Sequence, residues 1–409
     1  MKNDRAVVTG LGVVSPIGTG VEAFWNAACK GTNGIAPLTS FDTTGFRTSV
    51  GAEVKDFSAG SFLAPSQVSS MGRSSQFAVA ASKMALADAG LDIAKHDPYR
   101  TGVSFGTTMG EPQVLEEGIE RLYGATGSAD ALPEDLPRKY PCGVISANVA
   151  SALGACGPVI MIPTACAAGN YAIGYAHDLI RRGMADVVIA GGSDPISKIA
   201  FTGFNRLLAT AKECCRPFDK NRDGMAVGEG AGSLVLESLS HAKKRGAKIY
   251  AEVLGYGLGC DAFKMTIPDP SGSGGILALT TALAHANIGP DAVDYVSAHG
   301  TGTEENDRTE TLIIKTVLGE RAKSVPVSSL KSMIGHTMGA ASAIEAAACC
   351  LTMSHGVILP TINYRTPDPE CDLDYVPNAA RSASINIAVS NAYAFGGNTS
   401  SLVLGRFKG

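Results

Sequence analysis

The sequence predicts an α/β protein with packed sheets, built as two halves of similar logic. Short β-rich runs alternate with helix-length, alanine-rich segments along the whole chain. The alternation restarts after Gly246, so residues 1–248 and 249–409 each hold the same kind of succession. Of the 409 residues 45% are hydrophobic and only 18% charged, with 48 glycines. That is the composition of a well-buried chain with many sharp turns, and its length allows two or three average domains or one duplicated one.

Taken in order, residues 5–9 read as a strand, because Val and Thr suit a pleated surface. Residues 75–89 read as an amphipathic helix closed by Gly90, which can adopt the left-handed cap conformation. A strand at 102–105, a short helix at 146–153 and a strand at 159–162 follow, the last stopping at Pro163. Residues 170–182 are helical in pattern, and the strand 185–190 ends at Gly191-Gly192. A strand at 233–237 and a helix at 240–245 close the first half. The second half gives strand 250–255, helix 275–286, strand 295–298, helix 304–318, strand 325–328, helix 341–354, and strands 384–390 and 401–404. Residues 261–274 are loop-like, with Pro268, Pro270 and a glycine-serine end, and residues 110–141 read as an insertion. Excursions of this kind often cover a site mouth or a subunit interface.

Bulk properties exclude several functions. The net charge is −4 and no basic run or stripe occurs, so nucleic acid is not an expected partner. The ten cysteines show no C-x-x-C pair and no zinc-ligand spacing, and Cys214–Cys215 and Cys349–Cys350 are adjacent, a poor geometry for bridging. A reduced, cytoplasmic setting and no metal are expected. Met1–Arg5 run straight into the first strand, so no signal peptide is expected. No uncharged apolar stretch reaches the roughly 18 residues of a membrane span.

The chemistry centres on Cys166, in Met-Ile-Pro-Thr-Ala-Cys-Ala-Ala-Gly-Asn (161–170). An apolar segment stops at a proline, a small-residue turn follows, and a helix begins. A thiol at a helix start feels the positive end of the macrodipole, so its pKa is expected below the usual ~8.5. The small neighbours Ala165, Ala167, Ala168 and Gly169 let backbone N–H groups and a substrate approach. A buried structural cysteine is the plain alternative. Two histidine motifs decide against it. His299-Gly300-Thr301-Gly302-Thr303 ends one strand, and Lys331-Ser332-Met333-Ile334-Gly335-His336 follows another. Two of only seven histidines fall at matching strand ends beside glycines, which one shared site explains.

These motifs, with Asn391-Ala392-Tyr393-Ala394-Phe395-Gly396-Gly397, Arg216-Pro217-Phe218-Asp219 and Gly228-Glu229-Gly230-Ala231-Gly232, span the chain. In that order they resemble a β-ketoacyl-(acyl carrier protein) synthase of the elongating type II kind, in the thiolase superfamily. The resemblance implies a thiolase fold: a duplicated five-layer α-β-α-β-α architecture with two five-stranded mixed sheets. It implies a nucleophile-bearing half, 1–248, and a half, 249–409, carrying the His/Lys/His residues and a gate loop. It also implies a ping-pong reaction in which an acyl group passes to Cys166 and condenses with malonyl-carrier as CO₂ leaves. His299 and His336, as neutral imidazoles, would donate N–H groups to the malonyl thioester oxygen, and the backbone N–H groups of Cys166 and Phe395 would form the oxyanion hole. Lys331 would hold a fixed charge, with Glu310 its expected ion-pair partner and Asp307 a further support. Thr301 and Thr303 would bind pantetheine, Phe395 would gate the cysteine, and Met109 would border the acyl tunnel. Arg73, Arg206 and more loosely Lys212 would dock an acidic carrier protein. The carrier supplies the phosphopantetheine, so no cofactor, metal or nucleotide is needed. A dimer is implied, with an identical chain or with a chain-length-factor-like homologue.

Some residues depart from the common pattern. Ala167-Ala168-Gly169-Asn170 stands where fatty-acid synthases usually read Thr-Ser-Gly, Thr303-Glu304-Glu305 differs from the frequent Thr-Pro, and Ala394 replaces a usual glycine. They point toward nodulation-type and type II polyketide ketosynthases, with housekeeping fatty-acid elongation as the alternative. A chain-length-factor subunit is disfavoured by Cys166 and both histidines. A coenzyme A thiolase is disfavoured by the lack of a later Cys-Gly motif. Gly102-Val103-Ser104-Phe105-Gly106 matches the hydrolase elbow, and Gly228-x-Gly230-x-Gly232 a dinucleotide loop, but neither has the required context.

Overall fold

The computed structural model describes residues 4–124 and 132–409. In the first half, strand β1 is Ala6–Ser15, helix α1 Arg73–Ala89, β2 Thr101–Gly106, α2 Val144–Leu153, β3 Val159–Ile162, α3 Ala168–Arg181, β4 Val187–Asp194 and β5 Gly230–Ser238. In the second, β6 is Ala251–Cys260, α4 Ser273–His285, β7 Tyr295–Ser297, α5 Glu304–Leu318, β8 Val327–Ser328, α6 Ala341–His355, β9 Ile387–Tyr393 and β10 Asn398–Gly405.

Both halves lay their five strands in the same spatial order, first-fifth-fourth-second-third: β1-β5-β4-β2-β3 and β6-β10-β9-β7-β8. The directions repeat too. The first two pairings of each run are antiparallel and the last two parallel. The two sheets are not separate. A three-residue antiparallel seam, Ala6–Val8 against Ala251–Val253, makes them continuous. Helices α3 and α6 pack on each other and touch strands of both halves, α1 and α2 cover the outer face of the first half, and α4 and α5 that of the second. The result is the α-β-α-β-α layering.

Small residues permit this packing. Residues 341–353 of α6 are buried on every face. Gly169 in α3 crosses it so closely that a Cβ there would come within 2.6 Å of the Ala343 backbone nitrogen. β1 runs six residues beyond the expected strand because Gly10 and Gly12, which weaken a strand signal, sit against the Ala85 and Ala81 carbonyls of α1. Gly90 caps α1 with φ 59°, as its place in the sequence suggests. The insertion at 110–141 contains a helix, Pro112–Gly124; its residues 125–131, like residues 1–3, lie outside the described part of the chain. A helix at Lys198–Arg206, capped by Ser197, had no counterpart in the hydrophobic pattern.

The halves meet at one functional point. Ala165 and Met338, each three residues before a central helix, both have positive φ, 50° and 53°. Such values are uncommon in side-chain-bearing residues and are held only where the surroundings over-determine them.

Candidate active site

Cys166 sits in the turn Ala165–Ala167 that feeds α3, 7% exposed. The backbone N–H groups of Cys166 itself and of Phe395 act on its sulfur, each favouring the thiolate. The site lies at the floor of a cavity of about 420 Å³ whose lining includes Cys166, His299, His336, Thr301, Thr303 and Phe395. Residues from both halves, more than 130 apart in sequence, therefore share one concave space.

The strand ends place the histidines. His299 follows β7 and His336 follows β8, and their rings stand 5.4 Å apart, nearly perpendicular. The Met338 N–H donates to His336 Nδ1 at 3.2 Å, which places the ring proton on Nε2. His299 Nδ1 is buried with no hydrogen-bond partner among the described residues. Burial, then the Lys331 charge, hold both imidazoles well below the usual histidine range, so both are neutral at pH 7. Two neutral imidazoles facing a cavity offer N–H donors without a fixed charge.

The carboxylates organise backbone. Glu310 accepts the N–H groups of His299 (2.8 Å) and Gly300 (2.7 Å), and burial raises its carboxyl to about 7. Asp307 accepts from Phe218 (2.7 Å) and Gly302 (3.2 Å), with Arg222 3.8 Å away. Together they fix the glycine-rich turn from which Thr301 and Thr303 present hydroxyls 2.8 Å apart. Lys331 is fully buried, and its ion-pair partner is Glu345 in α6, at 2.5 Å, not Glu310. The reason is that Glu310 already serves two turn N–H groups, whereas Glu345 lies opposite Lys331 on the central helix. Burial raises Glu345 even against the ammonium. No motif marks Glu345; the available signal was a lone acid in an alanine-rich helix.

Asp194, at the end of β4, is likewise unmarked. It accepts from the Thr107 hydroxyl and the N–H groups of Thr108, Met109 and Gly339 at 2.7–3.0 Å. It thus ties the turn after β2 to the turn before α6. Met109 is held through its backbone and does not line the cavity.

Two further expectations change. Arg73 is committed to buried Glu229, through contacts of 2.9 and 2.7 Å, and to the Val54 carbonyl at 3.2 Å, so its guanidinium is structural and not offered to a carrier. Arg206 is exposed at the end of its helix, beside Leu207 and Leu208 of the cavity rim; Lys212 is exposed as well. The Ser104 hydroxyl is fully buried and donates to the Ala172 carbonyl at 2.8 Å, so the hydrolase elbow is a packing feature.

The thiol pKa is the second. Burial pushes Cys166 up to about 12, against the lowering effect of Lys331 and its two N–H donors, while Asp194 adds to the rise. Desolvation outweighs the helix-start field at this buried position. Alkylation of Cys166 by iodoacetamide, read peptide by peptide by mass spectrometry, should therefore rise about tenfold per pH unit from pH 7 to 9. A plateau near pH 8 would mean that the helix-start field wins.

The loop 261–274 lines the cavity through Asp261 and Lys264–Pro268. It is joined to the Phe395 loop, since the Gly396 N–H donates to the Met265 carbonyl (2.7 Å) and the Asp261 N–H to the Gly397 carbonyl (2.9 Å). Phe395 is 36% exposed and packs on Phe204 at 5.6 Å between centroids. Asn170 binds α3 to both α6 and β9, its backbone N–H donating to the Ser342 hydroxyl and its side-chain amide to the Ser390 carbonyl, each at 3.0 Å, while its Oδ1 has no partner among the described residues. Among the described residues no helix is long and apolar enough to cross a membrane, and no group of three His, Cys, Asp or Glu is placed to hold a metal.

Residues 3–242 match the family model of the β-ketoacyl synthase N-terminal domain, and residues 250–365 that of the β-ketoacyl synthase C-terminal domain. The tetracenomycin polyketide synthase ketoacyl synthase alpha subunit of Streptomyces glaucescens is 43% identical, over 99% of this chain and 97% of that one. The 3-oxoacyl-(acyl-carrier-protein) synthase 2 of Synechocystis sp. is 41% identical, over 100% and 99%. A solved structure described as the ishigamide ketosynthase/chain length factor superposes with a TM-score of 0.95 at 43% identity, over 99% of this chain and 100% of that one. With its duplicated sheets and its cysteine facing two histidines, the chain belongs to the β-ketoacyl synthase family of acyl-transferring condensing enzymes.

Proposed function

We propose that this chain elongates acyl chains by decarboxylative Claisen condensation, with Cys166 as the acyl carrier and malonyl-(acyl carrier protein) as the extender. The observation that carries the reading is the convergence of Cys166, His299 and His336 on one cavity, with two backbone N–H groups acting on the sulfur. In the first half-reaction the Cys166 sulfur attacks the acyl thioester. The oxygen charge of the tetrahedral intermediate is held by the N–H groups of Cys166 and Phe395, and the thiol proton leaves with the carrier thiol. In the second, malonyl-carrier loses CO₂. The enolate charge on its thioester oxygen is met by N–H donors of His299 and His336, and the carbanion attacks the acyl-cysteine carbonyl. Cys166 departs as thiolate and is reprotonated from solvent.

Residues 1–248 supply the nucleophile and residues 249–409 the histidines, Lys331 and the gate. Thr301 and Thr303 bind the pantetheine arm, which arrives on the carrier, so the chain needs no cofactor of its own. Arg206 docks the carrier, and the chain pairs with a copy of itself or with a chain-length-factor-like homologue. Ala167–Asn170 and Thr303–Glu305 favour polyketide synthesis over housekeeping fatty-acid elongation, and the cysteine usage favours a cytoplasmic setting. Incubated with acyl- and malonyl-carrier, the protein should form a β-ketoacyl-carrier two carbons longer, with one CO₂ per product. Condensation of acetyl-coenzyme A without CO₂ release would contradict the reading.

A further inference from the structure

A second cleft, of about 430 Å³, opens at the opposite end of the first half, where β2 and β4 begin at Thr101 and Val187. β2 runs from this cleft to Gly106, which packs under Ala168 at the start of α3. At ~3.3 Å per residue the cleft is roughly 17 Å from the nucleophile's support. Its lining holds the basic residues Lys95, His96, Arg100, His241, Lys244 and Arg245 and two acids, Asp97 and Asp186.

Most of the acid nearby is already engaged. Asp186 takes two contacts from Arg100, at 3.0 and 2.9 Å. Asp97 accepts the Tyr99 N–H at 2.9 Å. Behind the wall, fully buried Glu237 accepts from Arg245 Nε at 2.9 Å, His241 Nδ1 at 2.5 Å and the Thr9 hydroxyl at 2.5 Å. Burial opposes its ionisation, but Arg245, His241 and Thr9 outweigh that and hold its carboxyl at about 2. Lys95 stands 3.3 Å from Asp92, with both side chains more than half exposed, a contact worth little in water. Lys244 has no acidic partner among the described residues.

The imidazoles form a relay. With its Nδ1–H on Glu237, His241 presents Nε2 as an acceptor to His96 Nδ1–H at 3.1 Å. His96 Nε2 is left without a partner among the described residues. Burial, then the neighbouring His241, lower the His96 pKa, with Arg245 adding to this and Glu237 and Asp92 opposing it. A dianion in the cleft would supply the counter-charge that Lys244, Lys95 and a protonated His96 lack, and its several oxygens match donors arriving from different walls.

We propose that this cleft binds a phosphate-bearing small molecule, held by Lys95, Lys244 and the His96–His241 pair. Binding takes up a proton on His96, so affinity rises as pH falls.

Calorimetric titration of the full chain with pyrophosphate in low salt tests this. One site is expected, about tenfold tighter at pH 6.0 than at pH 8.0. Near pH 6.8, buffers of different ionisation enthalpy should show about one proton more taken up per ligand by the wild type than by His96→Gln, which reports the protonation change of the phosphate itself. The double variant Lys95→Ala/Lys244→Ala, both positions exposed, should keep its melting temperature and weaken binding at least tenfold at either pH. His96→Gln should bind as at pH 8.0 and lose the pH dependence. Condensation should be unchanged in each, because none of these residues lines the cavity of Cys166. No binding below 5 mM at pH 6.0, or equal binding by the double variant, would overturn the site. Binding lost in the double variant but identical at both pH values would keep the site and overturn the relay.

Discussion

Replacing His299 or His336 by alanine should slow condensation about 10²–10³-fold each, while acyl transfer to Cys166 continues near the wild-type rate. The two half-reactions put their negative charge in different places. On the proposed mechanism the charge of acyl transfer falls on the oxygen of the acyl-cysteine, which the Cys166 and Phe395 N–H groups would meet. In decarboxylation it falls on the malonyl thioester oxygen, which the perpendicular imidazoles face across the cavity. The pH dependence carries the same information. Because burial and Lys331 hold both histidines well below 6.5, they remain neutral as pH falls from 7.5 to 6.5. The condensation rate should show no histidine titration in that window, as measured by CO₂ release. A rate that halves near pH 6.5 would mean that the imidazoles are solvated.

Lys331→Met should cost about 3–5 kcal/mol of stability, because it leaves Glu345 buried opposite an apolar side chain. Glu345 can escape by taking a proton. Its folded pKa would then lie well above the unfolded ~4.3, so the variant's deficit should shrink at pH 5 and grow as pH rises above 7. Lys331→Met/Glu345→Leu removes both charges and should recover most of the loss, read as the urea midpoint. The double variant should still condense slowly. Lys331 lowers the pKa of both histidines and of Cys166, so its removal moves the acid limb of the rate profile up towards pH 6.5. If single and double variants are equally unstable, the ion pair is not what holds α6 to the turn after β8.

The sequence displayed the chemistry more clearly than the supports of that chemistry, and the reason is range. His299 and His336 were legible because a strand that breaks at a histidine beside glycines is a local event. Cys166 was legible for the same reason. Its pKa was not, because burial is set by what the second half lays over it. The choice of Glu345 over Glu310 depends on how α6 lies against the turn after β8, which no spacing encodes. Arg73 looks like any surface arginine until Glu229, 156 residues away, is folded beneath it. The halves were visible as a repeated alternation, but their identical strand order and the seam between β1 and β6 are tertiary facts. Gly10 and Gly12 shortened the expected β1 because a glycine that weakens an isolated strand is also what allows a helix to lie on it.

The central claim is that Cys166, and no other nucleophile, carries the acyl group. The most direct test is the intact mass of the protein after incubation with acyl-carrier protein. A gain of one acyl mass is expected in the wild type and in Ser104→Ala, and none in Cys166→Ala. A gain that persists in Cys166→Ala, or no gain with any acyl-carrier, would contradict the account.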